Sequence, residues 1–182
     1  MAYIDLQNEF PGIRGPMAFR PETAKHLNNL AEALLRAENT LTRGERELIA
    51  TFVSSLNDCS YCQQAHGSLA QHYLHCDISY IDNVKADFLN TDLSPKMKSL
   101  FSIAASVQKG GKSVTPNQIE EARTRGASDR EIHDTVLITA AFCMFNRYVD
   151  GLGTWAPENR DFYIKRAHHR AEEGYTGYDP RS

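Results

Sequence analysis

The chain has 182 residues, 41% apolar and 24% charged, with a formal net charge of −3. These values suit one compact domain or two small fused ones, and they exclude disorder, a nucleic-acid surface and a polybasic membrane surface as the main business of the chain. The longest apolar run, 136–145, falls short of the ~20 residues of a membrane span, and no basic and apolar leader opens the chain, so a cytoplasmic location is expected.

The first twenty residues, with Pro11, Gly12, Gly15 and Pro16, lack a helical period and are expected to form an extended arm whose Phe10, Met17 and Phe19 pack on something, such as a neighbouring subunit. After Pro21, Leu27, Leu30, Ala31, Leu34 and Leu35 recur at spacings of three and four, one face of a helix. Thr42 to Glu45 is a capping box that opens a second, almost wholly apolar helix. Asn57-Asp58 breaks it, and either residue can cap a third helix that carries Cys59, Cys62 and His66 to about His75. A short segment follows over 80–88. Ser94-Pro95 and Thr115-Pro116 each place a capping residue before a proline at the first helical position. Ser128 to Glu131 is a further capping box, opening a long apolar helix that stops near Gly151 and Gly153. Pro157 is expected to start a last charged helix ending at Gly174. With no sustained strand alternation, the reading is all-α with about seven or eight helices.

An internal repeat is expected. A shift of 84 residues sets Glu47 on Glu131, Cys59 on Cys143, Cys62 on Asn146, His66 on Asp150 and Gly67 on Gly151. The first unit, 21–90, would keep the chemistry, and the second, 94–156, would be a degenerate copy before a C-terminal helix and tail.

Four cysteines are too few for a disulfide scaffold, and Cys59-Ser60-Tyr61-Cys62 in a reducing compartment points to redox chemistry or metal. On one helix, positions 59 and 66 differ by about 20° and position 62 lies about 60° from 59, so all three side chains share a face. A cap at Asn57 or Asp58 places both thiols near the helix start, where unpaired amides and the dipole would lower a cysteine pKa. His66, one turn beyond Cys62, can move its proton. Glu47 lies ten residues before Asn57 and His66 nine after it, so a chain folded back there sets Glu47 level with His66 and Cys62. Alone, Glu47 would serve as a solvated first-turn carboxylate; buried, it needs a partner.

The pattern Glu47-x11-Cys59-x2-Cys62-x3-His66, with "LTRGERELIATFVSSLNDCSYCQQAHG", "MAFRPETAKHLNNLAEALLR" and "FNRYVDGLGT", resembles the alkylhydroperoxidase D-like family of the carboxymuconolactone decarboxylase superfamily, in its peroxidase-related subgroup. The resemblance covers about Phe10 to Ala156. It implies a helical bundle with a duplicated unit and a cysteine-based peroxidase needing no cofactor and no metal. Cys62 would attack the peroxide and Cys59 would resolve the sulfenic acid as a disulfide, with His66 and Glu47 relaying the proton. A dithiol, in the family's type enzyme a lipoyl adaptor protein, would reduce the disulfide, and trimers or hexamers would be the assembly. The family's type enzyme carries a His between its cysteines where this chain has Tyr61, a poorer proton carrier at neutral pH. Two other readings are a decarboxylase of the same superfamily, whose members lack the cysteine pair, and a non-catalytic redox sensor.

The remaining candidates are weaker. Cys143, within an apolar run, reads as a small buried hydrophobe. Cys76, in His72-x2-His75-Cys76, could suggest zinc together with Cys59, Cys62 and His66, but all the ligands would come from one continuous helix, with His75 and Cys76 about 20 Å along it from Cys59. His168-His169 should be solvated, Asn146, Arg147 and Asp150 should hold a helix end, with Arg147 able to pair with Asp150, and Trp155 should pack. No phosphate loop, haem motif or nucleotide fingerprint is present.

Overall fold

The computed structural model describes residues 2–177. Among them are nine α-helices: α1 (Arg14–Phe19), α2 (Pro21–Leu35), α3 (Arg43–Leu56), α4 (Ser60–Leu74), α5 (Ile78–Asp87), α6 (Pro95–Lys109), α7 (Pro116–Thr124), α8 (Asp129–Gly151) and α9 (Arg160–Glu173). No strand occurs among the described residues.

The helix starts follow the capping chemistry. Thr42, Thr115 and Ser128 each close a full capping box, with Glu45, Gln118 and Glu131, and Ser94 accepts from Met97 N ahead of Pro95. The last helix begins at Arg160 and not at Pro157, because Asn159 accepts from Asp161 N and so takes the capping position. The N-terminal segment is not wholly extended: residues Arg14 to Phe19 form α1. Its apolar residues are used within this chain, Leu6 and Met17 being buried, while Phe19 remains exposed. Trp155 is half exposed, and its Nε1 donates to Glu9 O at 3.0 Å, so it ties this segment down where interior packing was expected.

The core lies between α3, α6 and α8. Ile49, Val53, Leu100, Phe101, Ile103 and Ile138 are fully buried there, and Phe52 packs against Phe101 with the rings tilted and their centroids 4.8 Å apart. Full burial of each such side chain contributes about 1.5–3 kcal/mol. The apolar body of α3 is therefore the central element, and the helices that bear chemistry are placed against it.

At the 84-residue offset one side-chain contact with the helix backbone recurs. Thr51 Oγ1 donates to Glu47 O and Thr135 Oγ1 to Glu131 O, each at 2.8 Å, and these pairs lie 84 residues apart. The capping boxes lie 86 residues apart, so Glu131 performs the helix-start role of Glu45, not a role like that of Glu47. Glu131 also pairs with Lys96 at 2.8 Å. α8 runs unbroken for 23 residues, whereas the first unit breaks between α3 and α4.

Gly12 locks the N-terminal segment onto α4. Its φ is +56°, and a Cβ there would lie 2.1 Å from Tyr61 Cγ. Gly12→Ala should destabilise the protein by about 2 kcal/mol or more, from left-handed backbone and overpacking together, as measured by urea unfolding under reducing conditions.

Candidate active site

The break between α3 and α4 positions the cysteines. Asp58 takes a left-handed conformation (φ +56°), and Cys59 N donates to Ser54 O at 3.0 Å, closing the end of α3. Cys59 itself is then the N-cap of α4, in place of Asn57 or Asp58. Asn57 caps the C-terminus of α3, and its side chain turns toward α8, donating to Asn146 Oδ1 at 2.8 Å. Cys62 falls in the first turn of α4. Both thiols are free and buried, and they hydrogen-bond to each other.

Chain reversal at this break makes α3 and α4 antiparallel neighbours and brings Glu47 to His66. Glu47 is fully buried, so the solvated first-turn role does not apply. Its Oε2 accepts from His66 Nδ1 at 2.7 Å. This partner assigns the proton to Nδ1 and leaves Nε2 as the acceptor nitrogen of the ring. The imidazole is held further by Phe142, edge-on with centroids 4.6 Å apart.

A third residue completes the carboxylate's shell. Tyr175 OH donates to Glu47 Oε1 at 2.7 Å and lies 3.4 Å from His66 Nδ1, with its ring parallel to the imidazole. Burial beside Glu47 pushes the Tyr175 hydroxyl well above its ordinary range, so it remains a donor. Gly174 makes this placement possible: its φ is +74°, and a Cβ there would lie 2.7 Å from Glu32 Oε2, which instead accepts Tyr175 N at 2.6 Å. Spacing gives no hint of Tyr175, because it follows α9 in a segment whose position is set only by tertiary contacts. The one local signal is the helix stop at Gly174.

α8 supplies the other wall of the cysteine pair. Asn146 hydrogen-bonds to Cys62, and its Nδ2 donates to Ser54 Oγ at 3.1 Å. Asp150 accepts from Cys59, and its carboxyl is held above the usual range chiefly by burial. The two residues set on Cys62 and His66 by the repeat therefore face the chemistry directly. Arg147 donates to Cys143 O at 2.9 Å and does not pair with Asp150. Cys143 is half-buried, and its sulfur accepts from Asn57 Nδ2 at 3.6 Å. Cys76 packs at the core edge, away from the pair. No group of three or more His, Cys, Asp or Glu among the described residues is arranged to hold a metal ion.

The electrostatics at Cys62 oppose the simple helix-start expectation. The Cys59 thiol and burial, followed by the Cys59 and Asp150 charges, push the Cys62 thiol well above its ordinary range; only Asn146 acts the other way. A helix N-terminus contributes at most a kcal/mol or two, less than desolvation of a thiolate beside other acidic groups. Cys62 therefore rests as a thiol and needs a base to ionise. Tyr61 lies against Tyr163 with ring centroids 5.7 Å apart, and its ring packs against Gly12.

In front of Cys62 and His66 lies a cavity of about 820 Å³ including its open mouth. α1, α2, α4, α8 and α9 line it, with Tyr175 at the same wall. Among the described residues no helix is long and apolar enough to cross a membrane.

Residues 21–73 and 80–156 match the carboxymuconolactone decarboxylase family. The chain belongs to that family. Among solved structures, it is similar to the alkylhydroperoxidase AhpD core of an uncharacterized peroxidase-related protein from Ralstonia eutropha JMP134, at 28% identity and a TM-score of 0.76 over 85% of this chain and 79% of that one. A peroxidase-related protein from Silicibacter sp. TM1040 is 26% identical, with a TM-score of 0.76 over 85% of this chain and 78% of that one. A protein of unknown function from Agrobacterium tumefaciens, 19% identical with a TM-score of 0.70 over 79% and 97% of the two chains, shares the fold. No curated protein matches the chain significantly. The all-α architecture is thus that of the alkylhydroperoxidase D-like proteins.

Two outcomes follow from the site's polar shell. Tyr175→Phe removes one of the two hydrogen bonds to a buried carboxylate and should cost about 1.5–3 kcal/mol in urea unfolding. The raised thiol of Cys62 means that the folded chain binds this proton more tightly than the unfolded one. Its stabilising share is full below the ordinary thiol pKa of ~8.5 and declines as pH rises. Between pH 7 and 9.5 the reduced native protein should lose about 1 kcal/mol relative to Cys62→Ser, read from paired unfolding curves.

Proposed function

We propose that this chain is a cysteine-based peroxidase that reduces small-molecule peroxides at Cys62. The observation that carries the proposal is that His66, paired with buried Glu47, and Cys62, one of two free hydrogen-bonded thiols, line the same cavity. His66, with Nδ1–H given to Glu47, accepts the Cys62 proton at Nε2 through a water molecule. Glu47 stabilises the imidazolium that forms, and Tyr175 fixes the carboxylate.

The thiolate of Cys62 attacks the distal peroxide oxygen. The S–O bond forms, the O–O bond breaks, and the leaving alkoxide takes the proton held by His66 to depart as an alcohol. Cys59 then attacks the sulfenic sulfur, closing the Cys59–Cys62 disulfide and releasing water. A dithiol, such as a lipoyl group on a partner protein, restores both thiols by exchange. The balance is one peroxide and one dithiol consumed per alcohol, water and disulfide formed, with no cofactor.

In this reading residues 21–90 carry the chemistry and 94–156 are a degenerate copy that lends Asn146 and Asp150 to the pair. The reducing cytoplasm would be the setting. Self-association, as a trimer or hexamer, also belongs to the proposal: Leu137 and Met144, seven residues apart on α8, are exposed together with Leu56. Sedimentation at micromolar concentration should give an assembly, and a monomer would remove that part of the reading.

Peroxide-driven turnover with dihydrolipoamide tests the function. Cys62→Ser should abolish it, and Cys59→Ser should accumulate a Cys62 sulfenate visible by mass mapping. His66→Gln and Glu47→Gln should each slow oxidation of the pair by about 10²-fold or more, the usual share of a positioned base. Full activity in Cys62→Ser would sink the mechanism. Oxidation of the pair without turnover by any dithiol would leave a redox sensor, and decarboxylation of a lactone acid would mark the other activity of the superfamily.

A further inference from the structure

Cys62 has a base in His66, but Cys59 must also lose a proton. The thiolate is the nucleophile in any disulfide closure, so the Cys59 thiol has to give up its hydrogen as it attacks Cys62. Cys59 is fully buried, and that proton has no direct route to water. His66 and Cys62 line the cavity, whereas Cys59 is absent from its described lining.

The end of α8 places a group at this second sulfur. Val149, in its last turn, is buried together with Cys59, Tyr61, Cys62 and Tyr163. The next residue, Asp150, accepts a hydrogen bond from Cys59. Asp150 is itself exposed. One carboxylate therefore touches a sealed thiol on one side and meets solvent on the other. The two thiols also hydrogen-bond to each other, so a continuous chain runs from Cys62 through Cys59 to Asp150. Burial, and then the like charge of Asp58, hold the Asp150 carboxyl above its ordinary range, which makes it a stronger base than a solvated aspartate. A carboxylate opposes loss of a neighbouring thiol proton to water, but not transfer of that proton to itself, because the charge then moves and is not doubled.

We propose that Asp150 is the catalytic base for Cys59, taking its proton when the Cys59–Cys62 disulfide closes and returning one when the disulfide is reduced. Its part in peroxide turnover rests on the peroxidase reading; its part in closing the disulfide does not. On closure from the sulfenic acid, Asp150 takes the Cys59 proton and the sulfur attacks Cys62. The S–S bond forms, the S–OH bond breaks, and the departing hydroxide is neutralised by the proton that Asp150 releases to solvent, giving one water. On reduction, an external thiolate attacks Cys62, the sulfur that lines the cavity. The S–S bond breaks, and Cys59 leaves as a thiolate that takes a proton from Asp150. Two separate proton routes thus serve the pair, His66 for Cys62 and Asp150 for Cys59.

Single-turnover oxidation of the full, reduced chain, quenched in acid and read by mass, separates the two steps. Hydrogen peroxide makes a sulfenic acid at Cys62, and 2-hydroxyethyl disulfide makes a mixed disulfide there. Asp150→Asn keeps a hydrogen-bond acceptor and loses the basicity. In that variant the Cys62 intermediate should form at least as fast as in the native chain, since a charge opposing the Cys62 thiolate is gone. It should then accumulate and close about 10²-fold more slowly with either oxidant, the lower end of what a positioned base contributes. Asp150→Ala should close as slowly and be accelerated by added formate but not by chloride at equal ionic strength, a rescue that a merely structural role would not give. Closure at the native rate in Asp150→Asn, or slow closure in Asp150→Ala that formate does not relieve, overturns the proposal and leaves the peroxidase reading standing. Failure of peroxide to oxidise Cys62 in the native chain, with the disulfide oxidant behaving as stated, overturns the peroxidase reading and supports Asp150 as the base of the pair.

Discussion

A carboxylate with no access to water, at the centre of an apolar helix, is the constraint on which this site depends. Glu47 is fully buried, and an uncompensated charge there would cost several kcal/mol. Its two oxygens are satisfied by residues from two different parts of the chain, His66 on α4 and Tyr175 after α9. The contact with Tyr175 spans 128 residues. Satisfying one carboxylate therefore fixes the antiparallel pairing of α3 with α4 and also draws the segment beyond α9 over the site. The cavity before Cys62 exists because those three elements meet.

The same burial that makes Glu47 a rigid anchor makes Cys62 reluctant to ionise. Around the cysteine pair the polar groups are divided: Asn146 favours a thiolate at Cys62, while Cys59 and Asp150 oppose it. A resting thiol is protected from adventitious oxidation and alkylation, since the thiolate is the reactive form. The His66 imidazole, held at Nδ1 by Glu47, lines the same cavity as Cys62.

Much of this arrangement could be read from local sequence. Capping boxes at Thr42, Thr115 and Ser128 work through neighbours three residues away, and so their helix starts were fixed by composition alone. The Glu47–His66 meeting followed from counting residues on either side of the Asn57-Asp58 break. What escaped depended on partners distant in the chain. Residues 14–19 lack an amphipathic repeat long enough to announce a helix, and α1 forms against other elements. Cys59 displaced Asn57 as the helix cap because Asn57 has a better partner in Asn146, 89 residues away. Tyr175 carries no spacing signature at all, since its contact with Glu47 depends on where α9 lies and not on the pattern of α9 itself.

The Tyr61 ring is packed under Gly12. It seats a segment whose Ile13, Arg14 and Met17 form one wall of the cavity. The wall that Cys62 faces therefore comes partly from the first twenty residues, while the Glu47–His66 pair belongs to α3 and α4. A change in that segment alters the cavity and leaves the buried pair as it is, so the shape of the cavity and the polar centre behind it are separate parts of the structure.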